Sequence, residues 1–149
     1  MSTQMIIAIG ADHRGFAAKE IIKSSFLRYT FIDVGTDSNA RTDYPLFAHG
    51  VAEHVTSDRA THGILLCGSG IGMAIVANRY PGIYAGVVWN EKVAWQAKAH
   101  DNVNVLVLAC DYIDIEKNNI ITIIKTWLDT EFKGERYAMR IALIDNFEV

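Results

Sequence analysis

Short aliphatic runs alternating with helical segments leave this chain few architectures to choose from. The strand-like runs are Met5–Gly10, Phe31–Val34, His62–Cys67, Tyr84–Val88 and Asn104–Ala109. Between them apolar residues fall at helical spacing. A first helix starts near Gly15, with Ala18, Ile21, Ile22, Ser25 and Phe26 on one small or apolar stripe. Pro45–Thr56 reads as a second, its proline tolerated in the first turn. Further helices run from the glycine-rich segment after Cys67 to about Arg79, over Glu91–Lys98, over Ile113–Leu128, and from Arg136 to about Phe147 after the breaker Gly134. Strands that alternate with helices are joined by crossovers and lie parallel. The expectation is a single α/β domain over residues 1–149, with a five-stranded parallel sheet and helices on both faces.

The flavodoxin-like strand order 2-1-3-4-5 is the simplest for such a pattern. In sheets of this kind ligands bind beyond the carboxyl ends of the strands, where the order reverses, here between strands one and three. Asp12-His13 and Cys67-Gly68-Ser69-Gly70-Ile71-Gly72 stand at those two ends. The same order sets Cys67 and Cys110 about 10 Å apart. A disulfide needs Cα atoms within about 7 Å, so both thiols are expected to stay free.

Composition removes other classes. A net charge of -3 supplies no pull toward nucleic acid or an acidic membrane. No apolar stretch reaches the roughly 18 residues of a spanning helix, and the start of the chain lacks the pattern of a signal peptide. Two cysteines are too few for a disulfide scaffold, so a reducing cytosol is the expected setting. His49, His54 and His62 show no ligand spacing with the cysteines, and no metal site is assigned. Trp89, Trp95 and Trp127 read as core or interface packing.

The segment Cys67–Gly72 carries the strongest chemical signal. Its glycines let successive N–H groups converge on one point at a strand–helix junction, which suits a phosphate or an enediolate oxygen. A thiol there is expected below its free pKa of about 8.5. The plainer alternative is a buried cysteine beside a tight turn. Known phosphate loops do not fit: Ser69 stands where a P-loop needs Lys, the glycines are not spaced as in a dinucleotide fingerprint, and Met73 replaces the arginine of a cysteine phosphatase. Asp12 either caps the next helix or joins His13 at a ligand. Arg136 and Arg140, four residues apart, form a phosphate clamp or a solvated basic edge. His100, between a helix and strand five, falls at the amino edge of the sheet; it is a surface residue or serves a neighbouring subunit.

At these residues the chain resembles the ribose-5-phosphate isomerase B family, which includes allose- and galactose-6-phosphate isomerases. The resemblance rests on Gly-Ala-Asp12-His13-x-Gly-Phe, Asp33-x-Gly-Thr, Arg41-Thr-Asp-Tyr44-Pro and Cys67-Gly-Ser-Gly-Ile-Gly. It continues through Ala77-Asn78-Arg79, Asn104-Val-Leu and the Arg136/Arg140 pair. It implies an aldose–ketose isomerase without metal or cofactor, acting on ribose 5-phosphate and ribulose 5-phosphate. In that reading Cys67 moves the proton between C2 and C1, while Ser69 and the amides of Gly68, Gly70, Ile71 and Gly72 hold the enediolate. His100 assists ring opening, Asp12 and Tyr44 line the site, and His13, Arg136 and Arg140 grip the phosphate. The family builds its site between the subunits of a homodimer, to which the last helix would contribute, and dimers pairing into tetramers stay open. Ile71 occupies the position of a carboxylate base in one branch of the family, and isoleucine cannot take a proton. Two departures stand out. Asp101 replaces the usual Asn beside the site histidine, and Asp111 replaces an arginine after strand five that reaches phosphate. A six-carbon aldose phosphate, or a diverged module that binds sugar phosphate without turnover, are the alternative readings.

Overall fold

The computed structural model describes residues 4–114 and 119–147. In chain order its elements are β1 (Ile6–Ala11), α1 (Phe16–Ser25), β2 (Thr30–Asp33), α2 (Pro45–Thr56), β3 (His62–Cys67) and α3 (Ile71–Ala77). They continue with β4 (Ala85–Val88), α4 (Glu91–Asp101), β5 (Val105–Ala109), a single 3-10 turn (Cys110–Tyr112), α5 (Asn119–Asp129) and α6 (Arg136–Asp145). The expected start of the fifth helix at Ile113 is replaced by the end of that turn, and residues 115–118 of the expected helix lie outside the described residues.

All five strands are parallel, but their order is β2-β1-β3-β5-β4. The expected order 2-1-3-4-5 is therefore wrong at one edge: β5 sits inside and β4 outside. The reason is hydrophobic. Val105-Leu-Val-Leu-Ala109 is an unbroken aliphatic run, buried at every residue, as a strand covered on both faces requires. β4 is short, contains Gly86 and is only half-buried, which suits an edge.

This swap also moves a helix. With right-handed crossovers, each step of the chain along the sheet decides the face its helix covers. Steps toward β2 and back from β4 to β5 run one way and place α1 and α4 together; steps toward β4 place α2 and α3 opposite. The core divides accordingly. Ile7, Ile9, Ile64, Leu66, Leu106 and Leu108 pack with Ala18, Ile22, Ala94 and the α5 residues Ile120, Ile123, Ile124 and Trp127. Ala8, Leu65, Cys67, Val105 and Val107 pack with Ala48, Val51, Ala52, Val55, Met73 and Ala77. The period of two along each strand thus aims Cys67 at the α2/α3 face.

On α1, Lys19 rather than Ser25 shares the buried face; it is 1% exposed, and its ammonium meets Asp33 at 2.5 Å and Glu20 at 3.0 Å. Buried cations require such pairing. Trp127 fills the core and donates its indole N–H to the Val103 carbonyl at 2.9 Å. No helix among the described residues is long and apolar enough to cross a membrane. Helix α6 buries none of its residues and leaves Met139, Leu143, Ile144 and Phe147 beside it between 66 and 75% exposed.

Candidate active site

The register pairs Ala11 with Leu66, so Asp12 and Cys67 leave the sheet side by side. The Asp12 N–H donates to the Leu66 carbonyl at 3.1 Å. Its carboxylate Oδ1 accepts the N–H groups of Arg14 at 2.9 Å and Gly15 at 3.2 Å, which turns the chain into α1. The turn is tight: a Cβ on Gly15 would lie 2.5 Å from the Leu66 carbonyl oxygen. Asp12 therefore closes the turn before α1 rather than capping the helix, whose N-cap is Gly15 with no side-chain bond, and its charge acts on the neighbouring thiols.

After β3 the backbone folds over the Cys67 sulfur. Gly70 adopts a left-handed conformation with φ of 78°, which any side chain would strain, and points its N–H at Cys67 Sγ at 3.0 Å. The amides of Ser69 and Met73 also bear on the sulfur. Ser69 is exposed, and its Oγ accepts the Ile71 N–H at 3.3 Å. Tyr44, at the start of α2, leans over the loop so closely that a Cβ on Gly72 would lie 2.4 Å from its ring. Opposite, Gly68 lies beneath Arg14 and Asp111. A side chain at 72 would have to displace the Tyr44 ring, whereas one at 68 would meet only the far ends of Arg14 and Asp111.

The expected lowering of the Cys67 pKa is not found. The thiol is only 5% exposed, and burial pushes its pKa up. The Gly70, Met73 and Ser69 amides pull the other way but do not reverse it, and the Asp12 charge adds to the rise. A cleft of about 450 Å³ opens beside the loop, lined by Ser69, Ile71, Val87, Trp89, Ala109 and Tyr112. A larger one of about 550 Å³ lies between β4, α4 and α6, away from the thiol, and includes Asp101 and Ile144.

Both cysteines are free. The spacing expected from the wrong strand order does not explain it, since β3 and β5 are neighbours and Cys67 pairs with Ala109. Facing does: Cys67 packs on the α2/α3 side and Cys110 on the other. Burial holds the Cys110 thiol at about 12.

His13 is half-buried, and its Nδ1 accepts the Thr42 N–H at 3.2 Å. In the neutral ring that leaves the proton on Nε2, ready to donate to an anion. Neither Thr42 nor Arg14 stood out in the sequence, although Thr42 lies in a segment that did. Thr42 had a signal only in hindsight, since a backbone donor is invisible until the loop is placed.

His100, Asp101, Arg136 and Arg140 are elsewhere. His100 ends α4 at the amino edge of the strands, as the sequence pattern placed it, roughly 16 Å of strand away from the loop. Its ring stacks on Tyr137 at 4.4 Å and meets the edge of Trp95 at 5.3 Å. The guanidinium groups of Arg136 and Arg140 lie over the same tyrosine at 5.0 and 5.5 Å. Arg136 Nη2 donates to its hydroxyl at 3.0 Å, and that bond lowers the Tyr137 pKa. Lys133 lies over Trp95 and anchors to α4 through its N–H on the Ala99 carbonyl. Tyr137 is the residue that sequence reasoning missed here; its place between the two arginines was the available signal.

The other histidines are engaged locally, His49 with Tyr80, His54 with the Gly50 carbonyl and His62 with Thr61 and Trp127. Among the described residues no group of three His, Cys, Asp or Glu has metal-binding geometry.

A family model described as ribose/galactose isomerase matches residues 7–144. Ribose-5-phosphate isomerase B of Escherichia coli K12 is 35% identical over 144 residues, covering 95% of both chains. The crystal structure of a ribose 5-phosphate isomerase from Thermotoga maritima superposes with a TM-score of 0.91 at 41% identity, over 96% of this chain and 99% of that one. Ribose-5-phosphate isomerase B from Mycoplasma genitalium, solved with bound ribulose-5-phosphate, gives 0.90 at 34% identity, over 98% and 97%. Likeness of this extent leaves one assignment: the chain belongs to the ribose/galactose isomerase family.

Proposed function

We propose that this protein interconverts ribose 5-phosphate and ribulose 5-phosphate at a site that two copies of the chain complete together. The observation that carries the reading is the division of the chemistry. The thiol, the amide loop, Asp12, His13 and Tyr44 stand at one end of the sheet, while His100 and the arginines stand at the other. In a two-fold dimer each patch meets its complement twice. The exposed apolar side chains Met139, Leu143 and Ile144 on α6 and Phe147 just beyond it supply a surface for such a contact.

In this reading His100 of the second copy assists opening of the sugar ring, with Asp101 beside it. Cys67, as thiolate, removes the hydrogen from C2. The freed electron pair becomes the C1–C2 double bond, and negative charge gathers on O1, facing Ser69 and the loop that follows Cys67. The O2 proton then moves to O1, the C2 carbonyl forms, and the thiol returns its proton to C1. Atoms and electrons balance without an oxidant. His13 and the second copy's Arg136 and Arg140 hold the phosphate, and Tyr44 covers the loop.

Magnitudes support this division of labour. A positioned base contributes about 10²–10⁴ in rate. One oxyanion donor contributes about 10²–10³. Cys67→Ala is therefore expected to lose about 10² or more in kcat while folding normally. Turnover of ribose 5-phosphate by wild type and variant tests this, with allose and galactose 6-phosphates as competitors for the substrate assignment. Near-normal turnover in the variant would remove Cys67 as the base. Faster turnover of a six-carbon phosphate would reassign the substrate.

A further inference from the structure

Gly68 is roofed by two charged side chains from distant parts of the chain. A Cβ there would stand 2.8 Å from Asp111 Oδ2, 2.9 Å from Arg14 Cζ and 3.0 Å from Arg14 Nε. The roofing groups pair with each other, Arg14 Nη2 to Asp111 Oδ2 at 2.6 Å. The backbone beneath fixes both. The Arg14 N–H is bound by Asp12 Oδ1, and the Asp111 N–H donates to the Gly68 carbonyl at 3.0 Å. Arg14 is therefore held at the mouth of the loop, next in sequence to His13.

A guanidinium carries five N–H donors. Among the described residues Asp111 is the carboxylate that pairs with Arg14, and the arginine side chain remains 57% exposed. An exposed guanidinium over the loop that begins at Cys67 fits a phosphate monoester, which takes forked N–H pairs. Asp111 acts against that ligand. It occupies part of the fork and places a negative charge where a dianion would sit.

We propose that Arg14 is a phosphate-binding residue contributed by the same chain as Cys67, and that Asp111 sets its strength by competing for the guanidinium. This rests on the reading of the site as one for a sugar phosphate. It also accounts for an anion at position 111, which otherwise opposes the ligand: the carboxylate keeps the arginine over the loop and limits how tightly the product is held.

The test measures KM for ribose 5-phosphate and Kd for inorganic phosphate in wild type, Arg14→Ala, Arg14→Lys and Asp111→Asn. Loss of one exposed charged donor is expected to raise both constants about tenfold in Arg14→Ala, with kcat within about threefold. Arg14→Lys, which keeps the charge but not the fork, falls between. Asp111→Asn keeps a hydrogen-bonding group over the loop and drops the charge, so both constants fall about two- to fivefold. The opposite signs decide the matter. A merely structural ion pair is broken by either change, and both variants would then weaken phosphate together. That result, or an unchanged Kd in Arg14→Ala, overturns the proposal. If wild type does not turn over ribose 5-phosphate, the isomerase reading fails separately, and the inorganic phosphate Kd still reports on Arg14.

Discussion

At the carboxyl end of the sheet Cys67 is 5% exposed, wrapped in backbone amides and packed into the core. At the amino end His100, Tyr137, Arg136 and Arg140 form a stack on the outside of a helix that buries nothing. One region is built from main-chain amides folded over a buried sulfur. The other is built from side-chain faces resting on one another, each contact weak when exposed. In the proposed reaction, precision for the reacting carbons belongs with the first, and tolerance, suited to meeting a second copy, with the second.

Mixing subunits is the strongest way to break this comparison. Cys67→Ala and His100→Ala, each alone, are expected to lose about 10² or more in kcat. When the two are unfolded, mixed and refolded, mixed dimers carry one intact site, and about a quarter of wild-type activity returns. Recovery no greater than the sum of the parents would place both residues in one chain's site.

A second measurement reads the buried end directly. Only the thiolate is alkylated, and burial raises the Cys67 pKa. Iodoacetamide modification should therefore be slow at pH 7 and speed up about tenfold per pH unit to beyond pH 9. Cys110, held at about 12, stays unmodified through that range. Rapid labelling of Cys67 at pH 7 would show that the amides outweigh burial after all.

The smallest effect is predicted at the exposed end. Tyr137→Phe removes the hydroxyl that Arg136 donates to but leaves the stack under His100. KM for ribose 5-phosphate should rise only about two- to threefold, with kcat unchanged. A loss comparable to His100→Ala would mean that this edge, too, depends on fixed hydrogen bonds.

Much of the site was legible because it is local. Asp12 turns the chain through its own neighbours, and Gly70 supplies the left-handed turn, whereas Gly68 and Gly72 lie against side chains from elsewhere in the chain. The amino-edge position of His100 followed from its place between α4 and β5. Thr42 could not be read, because its role is one N–H delivered to His13 by a loop. Arg14 could not be read either, since its meaning depends on a carboxylate at the far end of β5.

The sequence by itself determined the alternation of strands and helices, the glycine-rich loop and the turn into α1, since each is set by periodicity or by backbone geometry over a few residues. Tertiary structure decided the rest. Placing β5 inside β4 came from burying the more aliphatic strand on both faces. The rise of the Cys67 pKa came from the loss of water around it, and the pairing of Arg14 with Asp111 from the meeting of β1 and β5 loops over β3. Solvent exclusion and long-range charge contact exist only once the chain is packed, so no local pattern contains them.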